Sequence, residues 1–348
     1  MMKLTITQPD DWHLHVRDGE FMSAVLPFTA ARFARAVIMP NLQPPVTSVA
    51  AALSYRERVI AAADAAGFTP LMTLYLTPST SVETIEQAAA CPHIIGVKWY
   101  PAGATTHSDQ GVSDISDCLH VVEAMSELSL PLLIHGEVTD PEVDIFDRES
   151  RFVTSTLEPL LQRVPELRVV LEHITTADSA QFVQDAGPNV AATITPQHLQ
   201  LNRTAMFQGG LRPHHYCLPV LKREYHRRRL VEVATSGDPK FFLGTDSAPH
   251  LRKDKESACG CAGVFSAHAG IELYAEVFDN AGALDRLEGF ASLHGAAFYG
   301  LDRNSGTLTL ERRAWQVPDV YRVGADELVP FRAGTKIAWR VHTSEGEH

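Results

Sequence analysis

Cysteine is scarce in this sequence. The five present (Cys91, Cys118, Cys217, Cys259 and Cys261) are odd in number and scattered over 348 residues. That excludes a disulfide-stapled scaffold and fits a reducing cytoplasm. The one close pair, Cys259-Gly260-Cys261, lacks the second pair that a cysteine zinc site needs, and reads as a glycine-rich loop with free thiols. No apolar run approaches the ~20 residues of a membrane span, and a first stretch carrying Asp10, Asp11, two histidines and Arg17 is no signal peptide. Positive charge is the minority sign, with 30 Lys and Arg against 42 Asp and Glu and a net charge of −12. Such a surface attracts neither nucleic acid nor an anionic membrane. An anionic small molecule would have to be held by local cations. Missing too is a Gly-x-Gly-x-x-Gly after the first strand, which argues against an open dinucleotide-binding sheet. No linker, internal repeat or low-complexity segment interrupts the chain.

What is present is a regular alternation of short apolar runs and amphipathic stretches. Strands are expected at Asp11–Val16, Ala36–Met39, Pro70–Leu76, Ile94–Tyr100, Leu132–His135, Val169–His173, Val190–Ile194 and Phe241–Thr245. Helices are expected over 21–33 with an interruption at Pro27, then 48–66 ended by Gly67, 81–90, 116–129, 141–164, 176–186 and 220–235. The run Ala36-Val37-Ile38-Met39 shows no polar alternation, as a strand buried on both faces requires. Eight βα units with buried strands predict a closed (β/α)₈ TIM-like barrel over about 8–300. Helical segments near 266–280 and 286–300 follow. A short C-terminal extension, about 301–348, with strand-like runs at 306–310 and 336–341, completes one domain. The basic run Lys222–Arg229 reads as a solvated helix face with Leu221, Tyr225 and Leu230 turned inward.

The ends of these strands carry chemistry. In Asp11-Trp12-His13-Leu14-His15-Val16-Arg17, strand alternation puts His13 and His15 on one face and Trp12, Leu14 and Val16 on the other. Arg17 falls on the histidine side, where a substrate anion could reach it. Lys98, His135 and His173 then end strands one βα unit apart, and Asp246 comes two units later. Barrel active sites lie at the C-terminal ends of the strands, so these side chains are expected to meet at one mouth. Four histidines and an aspartate exceed the needs of one zinc, which makes two divalent metals the better count. Two neighbouring cations need an anionic bridge. Lysine can supply one only as a carbamate, formed by adding CO₂ to its neutral amine.

The words around these residues are His13-Leu14-His15-Val16-Arg17-Asp18-Gly19, Met39-Pro40-Asn41-Leu42, Val97-Lys98-Trp99-Tyr100-Pro101, Ile134-His135-Gly136-Glu137, Glu172-His173-Ile174-Thr175-Thr176 and Gly244-Thr245-Asp246-Ser247-Ala248-Pro249-His250. From about residue 8 to about 300 the chain resembles the binuclear amidohydrolase superfamily and, within it, the stand-alone bacterial dihydroorotases. The resemblance implies that His13, His15 and Asp246 bind one zinc and that His135 and His173 bind the other. Lys98, as N6-carboxylysine, would bridge the two. It further implies that Asp246 shuttles the proton, first as general base and then as acid. Arg17, Asn41 and His250 would hold the substrate carboxylate, and Leu218 and Ala262 would offer backbone contacts to the ring amide. Thr105 and Thr106, in the polar Gly-flanked loop after the fourth strand, would reach the substrate from a lid. The expected activity is the reversible, zinc-dependent cyclisation of N-carbamoyl-L-aspartate to L-dihydroorotate in pyrimidine synthesis, by a cytoplasmic homodimer. Another cyclic amide hydrolase of the hydantoinase or allantoinase kind would share the metal ligands but need not provide Arg17, Asn41 and His250. A non-catalytic scaffold barrel would be expected to have lost ligands.

Overall fold

The computed structural model describes residues 2–65 and 67–342. Its centre is a sheet of eight parallel strands in chain order. They are β2 (Asp10–Leu14), β3 (Arg35–Ile38), β4 (Thr69–Tyr75), β5 (Ile94–Trp99), β6 (Leu132–His135), β7 (Val169–Glu172), β8 (Val190–Ile194) and β9 (Phe241–Leu243). Just past β9, the chain closes the ring on β2. Asp246 N donates to the His13 carbonyl (2.9 Å) and His15 N to the Ser247 carbonyl (3.1 Å). The buried Asp11 carboxylate accepts from Thr245 N and Oγ1 at 2.8 and 2.5 Å. The expected (β/α)₈ barrel is therefore present, with each predicted barrel strand in place.

Two apolar layers explain the unpatterned strand sequences. Val37 and Met39 point into the barrel with Leu71, Leu133, Val170, Ala191 and Phe242. Ala36 and Ile38 point out to the helices with Leu14, Met72, Leu132 and Leu171. Both faces of β3 are dry, so alternation in polarity vanishes while alternation in direction remains. Trp12 departs from the expected pattern. The β2–β3 register shifts between Asp11 and Leu14, and this bulge turns Trp12 into the barrel floor, away from Leu14 and Val16. There it stacks on Tyr299 at 4.8 Å between ring centroids. Gly295 makes that plug possible, because a methyl group on it would meet the indole nitrogen at 2.1 Å.

Several helix boundaries differ from expectation. Gly19–Ala30 runs unbroken through Pro27, since its inner face buries Met22, Val25, Leu26 and Thr29. That burial outweighs one missing N–H bond. The second helix, Val49–Ala63, stops at Asp64 in the left-handed conformation rather than at Gly67. The fifth predicted helix begins only at Arg148 and contains a π-turn at Val153–Leu157. In the basic run, the helix is Glu224–Ala234, and Tyr225 stands exposed while His226 and Leu230 take the inner face. Lys222 is buried, not solvated.

The sequence reading had no strand before Asp10. β1 (Lys3–Thr7) pairs antiparallel with β10 (Thr307–Glu311), from Lys3↔Glu311 to Thr7↔Thr307, and β10 pairs in turn with Arg340–Val341. The two ends of the described chain thus share one small sheet beside the barrel. Among the described residues, no helix is long and apolar enough to cross a membrane.

Candidate metal centre and substrate cavity

The C-terminal ends of the barrel strands bring the predicted residues together. His13, His15, His135, His173, Asp246, Arg17, Asn41, Thr105, Thr106, Leu218 and Ala262 all line one cavity. Lys98 lies against this cluster, paired with Glu172, and His250 stands behind Arg17. The bulge in β2 and the left-handed backbone at His173 (φ 43°) and Asp246 (φ 43°) aim these side chains inward. His13 Nε2 lies 3.2 Å from His15 Nε2, and Asp246 Oδ1 is 3.3 and 3.2 Å from the two. Ring centroids of His135 and His173 are 4.8 Å apart, and those of His13 and His173 are 5.1 Å apart.

For His15 and His135, outer partners set which ring nitrogen faces the cluster. His15 Nδ1 donates to Asn41 Oδ1 (2.8 Å), His135 Nε2 to Glu137 Oε2 (2.8 Å), and His13 Nδ1 lies 3.1 Å from Glu172 Oε1. A proton fixed on the outer nitrogen leaves the inner lone pair for a cation. Two groups could hold one: His13, His15 and Asp246, and His13, Glu172 and His173, each with ligand atoms within 4.8 Å of one another.

The charges agree. Burial opposes a charge on His13, but Glu172 and Asp246 outweigh it and raise its pKa to about 9. Burial also works against the Asp246 carboxylate, yet His13 and His15 keep its pKa well below the usual range. His15 is pushed down to about 4 by burial, and His173 is pushed down by burial and by His135. Carboxylates that stay ionised although buried favour positive charge at His13, and His15 and His173 stay neutral beside them, so the cluster combines anionic and neutral donors of the kind that hold a cation. The donor set fits a binuclear site.

On the far wall, Arg17 Nε donates to the Pro249 carbonyl (3.2 Å), and Nη2 lies 3.0 Å from His250 Nε2. Burial, with Arg17 adding to it, lowers the His250 pKa to about 2. This ring is therefore neutral. Its Nε2 accepts from Arg17 in one tautomer and donates to the Ala262 carbonyl (3.0 Å) in the other. The 102–111 loop lies over the cavity. Asn41 Nδ2 donates to the Thr106 carbonyl (3.2 Å), and Thr105 N donates to Ser108 Oγ (2.9 Å).

Three residues here escaped the sequence reading. Strand alternation predicts that Glu172 turns away from the face of His173, and the positive φ of His173 accompanies both facing inward. Glu137 follows His135 by two residues, a spacing that could have flagged it. Tyr100 lines the cavity with a buried hydroxyl that has no partner among the described residues, and its ring centroid is 4.6 Å from Lys98 Nζ.

Comparison with known proteins agrees with this geometry. Residues 7–320 match the Amidohydrolase family. A dihydroorotase of Methylobacillus flagellatus is 62% identical over 97% of this chain and 98% of its own length. A crystal structure of dihydroorotase from Campylobacter jejuni superposes with a TM-score of 0.90 at 37% identity, covering 98% of each chain. A dihydroorotase from Saccharomyces cerevisiae in complex with 5-fluoroorotic acid does so with a TM-score of 0.90 at 34% identity, over 98% of this chain and 99% of that one. Neither a hydantoinase-like reading nor a scaffold reading is needed beside such identity. The chain belongs to the amidohydrolase family and, within it, to the dihydroorotases.

Proposed function

We propose that this cavity interconverts N-carbamoyl-L-aspartate and L-dihydroorotate with two zinc ions. His13, His15 and Asp246 would hold one and His135 and His173 the other, with a carbamate on Lys98 between them. When bound, such a pair of cations makes water a nucleophile near neutral pH and polarises the carbonyl to be attacked. The observation that carries the reading is the pairing of this imidazole–carboxylate cluster with the Arg17–His250 wall across one small cavity.

The remaining roles belong to the chain's own groups. Both histidines approach the same oxygen of Asp246, Oδ1, which leaves Oδ2 free to accept a proton and return it to the ring nitrogen. Arg17 offers its unused N–H groups to the substrate carboxylate, the cationic contact that a chain of net charge −12 must supply locally. Asn41 serves His15 with one end of its amide and the lid with the other. Thr105 and Thr106 close over the ring and exclude water. Leu218 and Ala262 present backbone groups to the ring amide. The yeast relative's ligand, a pyrimidine carrying a carboxylate, joins the two parts for which this cavity has partners. Cytoplasmic location and a homodimer extend the reading on family grounds alone.

Protein purified without chelator is expected to carry about two divalent ions per chain and to turn over dihydroorotate. A stoichiometry of zero in active protein would overturn the metal reading. Specificity has its own test. Arg17→Met is expected to cost about 2–4 kcal/mol in kcat/KM on dihydroorotate and far less on dihydrouracil, which lacks the carboxylate. Equal losses on both substrates would make Arg17 structural.

A further inference from the structure

We infer that Lys255 is a positioning residue for substrate binding. Its buried ammonium pins the backbone wall that contains Leu218, Ala262 and Gly263, and so aims the Ala262 N–H into the cavity. This rests on the reading of that wall as a substrate contact.

Lys255 ends the short helix Arg252–Lys255 and is only 3% exposed. Among the described residues it has no carboxylate partner. Its three N–H bonds go instead to three carbonyls, Tyr216 (2.8 Å), Cys261 (2.7 Å) and Gly263 (2.8 Å). These come from two stretches far apart in sequence, which are further joined by Gly263 N donating to the Tyr216 carbonyl (3.0 Å). Burial lowers the pKa of this ammonium to about 8. A lone buried charge held by dipoles is costly, and its three acceptors are not random. Gly263 lines the cavity itself, Cys261 immediately precedes the lining residue Ala262, and Tyr216 lies two residues before the lining residue Leu218.

Peptide planarity carries the argument further. The C=O and N–H of one trans peptide point in opposite directions. The Cys261 carbonyl points at Lys255, so the N–H of the same peptide, that of Ala262, points away from it. That N–H has no partner among the described residues, and Ala262 lines the cavity. The next carbonyl, that of Ala262, lies 3.0 Å from His250 Nε2. The turn is also strained. Cys261 has φ 20°, and Gly263 has φ 152°, where a side chain would meet the Ala248 carbonyl at 2.4 Å. A strained turn holds its shape only when its surroundings over-determine it, and the ammonium's bonds to Cys261 and Gly263 do so from both sides.

Lys255→Met keeps the volume and removes the donors, while Lys255→Gln keeps part of the donor capacity. In metal-loaded protein at neutral pH, Lys255→Met is expected to raise KM for dihydroorotate about ten- to a hundredfold. Lys255→Gln should raise it less. In both, kcat should stay within about threefold and metal content should be unchanged. Wild-type KM in both folded variants would overturn the assignment. So would a loss of kcat and metal together at constant KM, which would place the residue in the support of the metal site. If Lys255→Met does not fold, as a thermal melt would show, Lys255→Gln decides alone on the same criteria. Absence of saturable dihydroorotate turnover in the wild type would instead sink the underlying reading of the cavity.

Discussion

Asp246→Asn is expected to fold, to keep the barrel closed and to lose about 10²–10⁴ in kcat in both directions of the reaction. The fold should survive for two local reasons. Asp246 sits in the left-handed region at φ 43°, which asparagine tolerates better than almost any other side chain. Its contribution to closure is its backbone N–H on the His13 carbonyl, which the substitution leaves alone. The chemistry should not survive. An amide cannot accept and return a proton, and it withdraws one of the two carboxylates that face His13. Metal analysis alongside kinetics separates the two effects. Full metal content with lost turnover assigns the loss to proton transfer, and loss of both assigns it to the ligand role. Turnover within a few-fold of wild type would remove Asp246 from the mechanism.

Much of the fold was legible because the barrel's two layers are encoded in short apolar runs. Val37 and Met39 against Ala36 and Ile38 form one such pair of faces, and no polar residue obscures where the run begins or ends. What stayed hidden were features set by partners distant in sequence. β1 has its partner β10 some three hundred positions away, and a five-residue strand with only Ile6 buried has little pattern of its own. Trp12 obeys the tertiary demand for a barrel floor over local alternation, and the bulge that permits this has no glycine or proline to announce it. Pro27 misled in the opposite direction, since packing of the helix's inner face decided against a break.

The site was legible to the extent that its residues end strands, because a strand end fixes both depth and direction. Lys98, His135, His173 and Asp246 come together for that reason. The residues that orient them were harder to find, as nothing in the sequence says which neighbour of a histidine turns inward. Asn41 was expected at the substrate and lines the cavity, but its amide oxygen holds His15. Glu172 approaches His13 Nδ1 at 3.1 Å and also meets Lys98. Lys255 was unremarkable in a charged stretch, and only the three carbonyls around it distinguish it.

Lys98→Ala is expected to abolish turnover and to lower both metal content and stability. Lys98 is fully buried on β5, with Glu172 as ion partner and the Tyr100 ring beside it. In the metal-free protein, where Lys98 is unmodified, removing one member of this buried pair leaves the other charge stranded, at a cost of about 3–5 kcal/mol, so the thermal midpoint of the stripped protein should fall. The loss of function has a separate cause. An ammonium near two dications is repelled by each, by about 4 kcal/mol per pair of unit charges at ~4 Å and an effective dielectric of ~20. Burial already lowers the Lys98 pKa, though Glu172 works against it, and the neutral amine is the form that reacts with CO₂. Its nitrogen bonds to the carbon and releases one proton, giving an anion with two oxygens. The one N–H that remains can still donate to Glu172, so the pairing seen here is compatible with the carbamate. Lys98→Glu should then recover part of the metal binding but little rate, because its shorter arm misplaces the bridge. Metal-stripped protein should regain activity faster with zinc in bicarbonate than in CO₂-free buffer. Equal recovery in the two, together with an unmodified lysine in a crystal of the fully active protein, would refute the carbamate.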